Sequence, residues 1–193
     1  MATFLERVGD LQLPVLRRTA VRLRKLLGPT REVRRILDIG SGPGVMTCVL
    51  AETFADAEVV AVDGTPALLD GVLARAGRLG LGDRVTVRCA DLAAGPIDAD
   101  RPGESPLGTS DVIWSGMALH HLGDQQGALN RLAGVLRPGG LLAVAEGGLP
   151  MRYLPRDIGI GRPGLQTRLD AARDQSFEFM RGELPGTTAV VED

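Results

Sequence analysis

Eight residues, Leu37 to Gly44 (L-D-I-G-S-G-P-G), constrain this chain more than any other stretch. Before them, Arg35-Ile36-Leu37-Asp38-Ile39 is a run of β-formers; after them, Val45 to Ala51 reads only as a helix. Gly40, Gly42 and Gly44 sit at alternate positions between the two, where positive φ and the lack of a Cβ let the backbone turn tightly and lie against a ligand. The helix that follows aims its unpaired N–H groups and its positive dipole end at the same place, which suits a carboxylate or phosphate. Strand, glycine turn and helix N-terminus predict a nucleotide-like ligand.

The flanking sequence extends this unit into an alternating pattern. Glu58 to Asp63, Arg84 to Cys89, Asp111 to Ser115 and Leu141 to Glu146 read as four further strands, each a short apolar run. Helices are predicted between them: one to about Phe54, one capped by Thr65, opened by Pro66 and lined by Leu69, Val72, Leu73 and Ala76, and one from about Asp124 whose Leu129, Leu132, Ala133 and Leu136 face inward until Arg137-Pro138-Gly139-Gly140 breaks it. Ala93 to Ser110 is rich in Pro, Gly, Asp and Ala and reads as a surface loop. Alternation of this kind describes an α/β fold, a doubly wound parallel sheet covered on both faces. With 193 residues and 44% hydrophobic content the chain can bury one real core.

Three segments follow. Residues 1–34 form an N-terminal helical cap, with a helix from Pro14 to Leu27 whose Leu16, Ala20, Leu23 and Leu27 face inward and whose outer face carries Arg17, Arg18, Arg22, Arg24 and Lys25. This helix is expected beside the ligand mouth, its basic face solvated. Residues 35–148 form the ligand-binding core. Residues 149–193 supply a loop and a helix opened by Pro163 on the substrate side.

Other classes are disfavoured. A net charge of -2 and 3% aromatic content give no basic or stacking surface for nucleic acid. The amino terminus lacks the apolar core of a signal peptide and no run has membrane-spanning length, so a cytoplasmic protein without a membrane partner is expected. Cys48 and Cys89 have no metal-ligand spacing and read as free buried thiols, and no metal is expected. Trp114 reads as core packing.

In doubly wound sheets ligands lie outside the carboxyl ends of the strands, where strand order reverses. Gly40 to Gly44, Asp63, Asp91 and Ser115 to His121 all fall there. Asp63 ends the strand after the glycine turn, at roughly the spacing where an acid accepts from a ribose diol. Asp91, after the third strand, can accept a hydrogen bond from an adenine amino group with Leu92 against the ring.

The ordered set L-D-I-G-S-G-P-G, V-V-A-V-D-G-T-P, C-A-D-L, D-V-I-W-S-G-M-A-L-H-H-L and L-R-P-G-G resembles the class I S-adenosylmethionine-dependent methyltransferases from about Ile36 to Glu146. That resemblance implies S-adenosylmethionine as cofactor and methyl transfer to an oxygen, nitrogen or carbon of a small-molecule acceptor. It places Asp38, Gly40, Ser41, Gly42 and Gly44 around the methionine part of the cofactor, Asp63 on the ribose, and Gly64 and Thr65 near the adenine. Asp91 and Leu92 match the adenine-contacting pair, and Ser115, Gly116 and Met117 match the turn facing the amino group and sulfonium. His120 and His121 are the chain's two histidines; a structural role for the pair is the leading reading, and either can serve as general base, His120 ahead of His121. Met151 and Tyr153 are candidate substrate contacts.

One departure stands out. Such sheets normally have seven strands, whereas only five are read here, leaving the apolar fifth strand as an edge. Loss of a carboxyl-terminal piece is the expected reason, and a homodimer through that edge is the competing one. Two rival functions remain at this point. A dinucleotide-dependent oxidoreductase is the first, although Val45 stands where G-x-G-x-x-G needs its last glycine. The second is a cofactor-binding but inactive subunit or scaffold domain.

Overall fold

The computed structural model describes residues 2–90, 107–147 and 154–183. Among these, five strands form one sheet: β1 (Arg35–Ile39), β2 (Glu58–Asp63), β3 (Val85–Cys89), β4 (Ser110–Gly116) and β5 (Leu136–Ala145). Five helices accompany them: α1 (Ala2–Leu27), α2 (Val45–Thr53), α3 (Pro66–Arg78), α4 (Gln125–Gly134) and α5 (Leu165–Gly182), with a single 3₁₀ turn at Leu119–His121. The sheet order is β3-β2-β1-β4-β5 with every pairing parallel. The order reverses between β1 and β4, as the doubly wound reading requires.

Side chains alternate across the sheet with period two. Ile36 on β1, Val59 and Ala61 on β2, and Val112 and Trp114 on β4 pack with residues of α1, α2 and α3. Leu37, Ile39, Val60, Val62 and Ile113 pack on the other face with Leu119, Leu122, Ala128 and Leu132. Trp114, 6% exposed, is a core residue as expected. α2 is buried from Val45 to Ala51, because α1 covers the face it turns away from the sheet.

The amino ends of the strands are tied by charged groups. Asp111 Oδ2 accepts from the backbone N–H of Arg34 (2.9 Å) and Arg35 (3.1 Å) and from Arg137 Nη1 (2.8 Å), joining β4, β1 and β5. Burial alone would raise the Asp111 carboxyl; those N–H donors and the Arg137 guanidinium hold it below the ordinary carboxylate value. Arg84 Nη1 donates to the carbonyls of Ala51, Phe54 and Ala57 and so ties the end of α2 to the start of β2.

Several expectations need correction. α1 does not start at Pro14: it runs from Ala2, with Pro14 inside it. Pro14 is exposed, so the carbonyl left without an amide partner four residues earlier can be hydrated. β5 begins at Leu136, before the expected break; Arg137 to Gly140 is a bulge within the strand, since register jumps from Ser110↔Leu136 to Val112↔Leu141 and Gly139 takes φ 72°. Leu73 and Ala133 are exposed, each lying just past the edge of its helix's buried stripe. Cys48 is buried but Cys89 is exposed, because β3 is an edge strand whose last residues lack a cover among the described residues. β5 forms the opposite edge, with Val144 43% exposed.

The basic face of α1 is exposed to solvent at Arg17, Arg18, Arg22 and Lys25, as expected. Arg17, Arg18, Val21, Arg22 and Lys25 border a depression of about 400 Å³, and Arg17 pairs with Glu52 (3.7 Å) near the carboxyl end of α2. The earlier part of α1 meets the start of α2 at Gly9, where an added Cβ would meet Val45 Cγ2 at 2.6 Å. No described helix is long and apolar enough to cross a membrane.

Candidate functional site

The carboxyl tips of β1, β2 and β4 meet at the switch point. Past Ile39 the chain turns through Gly40, Gly42 and Gly44, with φ values of 69°, 54° and 82°. Each conformation is one that side-chain-bearing residues resist. The three glycines serve different ends. A Cβ on Gly40 would fall on the Cβ of Ala118, so this glycine lets the β4 turn close over β1. A Cβ on Gly44 would meet Val72 at 2.9 Å, so this one lets α2 pack against α3. A Cβ on Gly42 would meet nothing within 4 Å among the described residues, leaving room at the centre of the turn for something outside the chain.

Asp63 holds the turn from β2. Its Oδ2 accepts from the Gly42 N–H (3.0 Å) and its Oδ1 from the Thr65 N–H (2.9 Å), while the N–H groups of Gly40 and Ser41 both donate to the Val62 carbonyl (2.8 and 3.0 Å). A carboxylate has about four acceptor positions, so each oxygen retains one for a diol. Gly64 and Thr65 are exposed beside it.

Asp38 lies beneath the turn at 2% exposure, and its Oδ2 accepts from the Thr47 hydroxyl at 2.5 Å. Burial pushes the carboxyl up to about 7; the Thr47 bond opposes this and the charge of Asp63 adds to it. Ser41 and Ser115 are buried, and Ser115 Oγ has no hydrogen-bond partner among the described residues.

After β4 the chain must turn sharply. Met117 carries φ 55°, the one positive value at a non-glycine among the described residues, and its N–H donates to the Ala145 carbonyl at 2.7 Å. Such strain persists where surroundings over-determine it and is concentrated at ligand sites. Gly116 is needed because a Cβ there would meet the Trp114 ring at 3.0 Å. The turn delivers His120, whose Nδ1 lies 2.6 Å from Glu146 Oε2. His121 stacks obliquely on His120 with ring centroids 4.0 Å apart. Burial, then the neighbouring His120, lower the His121 pKa, with Glu146 opposing.

The structure therefore brings together Asp38, Gly40, Ser41, Gly42, Gly44, Asp63, Gly64, Thr65, Ser115, Gly116, Met117 and His120 around the strand tips. Asp91, Leu92, Met151 and Tyr153 lie outside the described residues. Four participants escaped the sequence reading. Thr47 looked like an ordinary helix residue, and Phe177 and Arg181 lie on α5, whose approach to the histidines no local pattern announces. Glu146 did carry a signal: an acid directly after an apolar strand, the rule that selected Asp63 and Asp91.

Positive-φ backbone, an open turn centre, an acid with spare acceptor positions and an under-compensated buried carboxyl fit a cationic, ribose-bearing ligand with a carboxylate of its own. A family model described as a methyltransferase domain matches residues 37–144. Among curated proteins, trans-aconitate 2-methyltransferase of Methylobacterium radiotolerans is 36% identical over 116 residues, covering 60% of this chain and 39% of that protein. Malonyl-[acyl-carrier protein] O-methyltransferase of Halorhodospira halophila is 37% identical over 133 residues, 68% of this chain and 41% of that one. The chain thus spans about two fifths of the length of these relatives. A crystal structure of a Methanococcus maripaludis protein assigned to the S-adenosylmethionine-dependent methyltransferases superimposes with TM-score 0.63 at 19% identity, covering 92% of this chain and 70% of that one, a likeness of fold.

Proposed function

Because this chain belongs to the methyltransferase-domain family, we propose that it binds S-adenosylmethionine across the tips of β1, β2 and β4 and transfers the methyl group to a small-molecule acceptor. The observation that carries the reading is the glycine turn held open by Asp63, with free space at Gly42. In this reading the backbone of Gly40 to Gly44 surrounds the methionine carboxylate at the amino end of α2, and Asp38 lies nearest the ammonium. Asp63 accepts from the ribose hydroxyls; Gly64, Thr65, Asp91 and Leu92 border the adenine; Ser115, Gly116 and Met117 face the sulfonium. Met151 and Tyr153 contact the acceptor.

When bound, the cofactor supplies a methyl group on positively charged sulfur, already activated for displacement. What remains for the protein is alignment and exclusion of water, an orientation effect that needs no covalent enzyme intermediate. Where the acceptor atom must lose a proton, His120 takes it. The names of the two relatives, for trans-aconitate and for malonyl-[acyl-carrier protein], favour an acceptor that bears carboxyl groups. A dinucleotide oxidoreductase and an inactive scaffold find no support in the family or in these relatives.

Calorimetry with S-adenosylmethionine, its demethylated product and NAD tests the assignment. The first two are expected to bind and NAD is not. Gly42→Val, which puts a side chain into the free space at the cost of left-handed strain at φ 54°, should abolish cofactor binding, with circular dichroism and thermal unfolding showing that the variant still folds. Binding of NAD alone, or normal cofactor binding by Gly42→Val, would overturn the reading.

A further inference from the structure

We propose that Glu146 is a positioning residue that fixes His120 in the Nδ1–H tautomer, so that Nε2 is the ring's proton acceptor at the methyl-transfer site. This rests on the function proposed above and extends it to a residue outside the motif segments.

The placement follows from the sheet. Ala145 is the last residue of β5 and lies in register with Gly116, the last of β4, so Glu146 emerges directly beside the turn that carries the histidines. One carboxylate oxygen, Oε1, accepts from the N–H groups of Ala118 (3.1 Å) and Leu119 (2.8 Å), the free donors that open the 3₁₀ turn. The other, Oε2, meets His120 Nδ1 at 2.6 Å. An ionised carboxylate only accepts, so the shared proton belongs to Nδ1; in a neutral imidazole the second nitrogen is then the acceptor.

The ring is held from its other sides as well. His121 lies against it at 4.0 Å and the Phe177 ring of α5 at 5.6 Å. Arg181 Nη1, also from α5, donates to the carbonyls of His120 (3.2 Å) and Leu122 (2.6 Å), which pins the backbone on both sides of His121. The side chains of His120 and Glu146 are 20% and 27% exposed, so the pair is partly shielded yet within reach of an acceptor. In the step concerned, the bond between the acceptor atom and its hydrogen breaks, the proton passes to the Nε2 lone pair, and the electron pair stays on the acceptor atom as the nucleophile. The imidazolium formed faces the Glu146 carboxylate across the Nδ1–Oε2 contact. A Glu146 that merely capped the turn would leave the tautomer unspecified.

The test reads the tautomer directly and needs no acceptor. Because the chain has two histidines, His121→Gln leaves His120 as the sole imidazole. Long-range proton–nitrogen NMR of ¹⁵N-labelled His121→Gln protein, at a pH where the ring is neutral, is expected to show hydrogen on Nδ1. Adding Glu146→Gln keeps one oxygen for the Ala118 and Leu119 N–H groups and turns an amide N–H toward Nδ1, so the hydrogen should move to Nε2. Hydrogen on Nε2 in the first protein, or an unchanged tautomer in the second, overturns the proposal. If the Glu146→Gln protein does not fold, the first spectrum decides alone. Calorimetry with S-adenosylmethionine on the wild-type protein separates the two levels: failure to bind strikes the methyl-transfer reading, whereas normal binding with the wrong tautomer strikes only the role of Glu146.

Discussion

Cofactor binding should release a proton from Asp38. Burial pushes this carboxyl up to about 7, so it is about nine tenths protonated at pH 6, about one half at pH 7 and about one tenth at pH 8. A cationic ammonium settling beside a carboxyl favours its charged form and typically lowers the pKa by about 1–3 units. Taking a fall of about two units, the site becomes ionised on binding at pH 7, and the protons released per cofactor are about eight tenths at pH 6, one half at pH 7 and one tenth at pH 8. Titration calorimetry in buffers of contrasting ionisation enthalpy measures that number as the slope of apparent enthalpy against buffer enthalpy. Asp38→Asn is the control, since its amide oxygen still accepts from Thr47 and nothing there titrates. Protonation of the ligand's own amino group and of the histidines cancels in the difference between the two proteins. Equal slopes for wild type and Asp38→Asn at pH 6 and pH 7 would refute the placement of a cation beside Asp38.

Two further outcomes concern the frame of the site. Gly40→Ala should cost about 2–5 kcal/mol, combining left-handed strain with overpacking against Ala118, whereas Gly80→Ala, at nearly the same φ of 70° but with open space around it, should cost only about 1–2; urea denaturation compares them, and equal losses would refute the steric account. Asp111→Ala should cost about 2–4 kcal/mol by stranding the Arg34 and Arg35 N–H groups and the Arg137 guanidinium. The depressed pKa of Asp111 sets the sign of its pH dependence: its contribution is full above about pH 4, the unfolded value, and is lost as pH falls through the lower folded value. Acid stability curves of wild type and Asp111→Asn should therefore begin to converge as pH falls below 4, and a gap that stays constant as pH falls further would show that the carboxylate charge is not the source.

The parallel sheet and the glycine turn were legible because their signals are local. Apolar runs bounded by turn residues mark β1, β2 and β4, and Gly40, Gly42 and Gly44 are spaced for one turn only. What stayed hidden depends on contacts far apart in the chain. Pro14 reads as a helix start, yet Gly9 packing on Val45 and the Glu6 and Asp10 pairs with Arg75 carry the helix well ahead of it. Arg137 to Gly140 reads as a breaker, but Arg31 donating to the Pro138 carbonyl and Arg137 to Asp111 hold it in the sheet as a bulge. At the site, Asp63 could be found from its spacing to the glycines, while Glu146 needed the β4–β5 register to come beside His120.

The two buried aspartates of the sheet show how stability and function are divided along it. Asp111, near the amino ends of the strands, is 4% exposed and collects two backbone N–H donors and two arginines; its pKa is lowered, and its charge is fully answered within the chain. Asp38, near the carboxyl ends, is 2% exposed and has a hydroxyl and a neighbouring acid instead; its pKa is raised to about 7. A chain selected for stability alone would give Asp38 a cation or replace it, since replacing a buried polar group with an apolar one is often neutral or favourable. It lies next to three positive-φ glycines and Met117, the one positive-φ residue other than glycine among the described residues, so these departures from local preference gather at the carboxyl end of the sheet. Departures of that kind are expected where a ligand completes the structure, and the ligand that answers an unmet carboxylate is a cation.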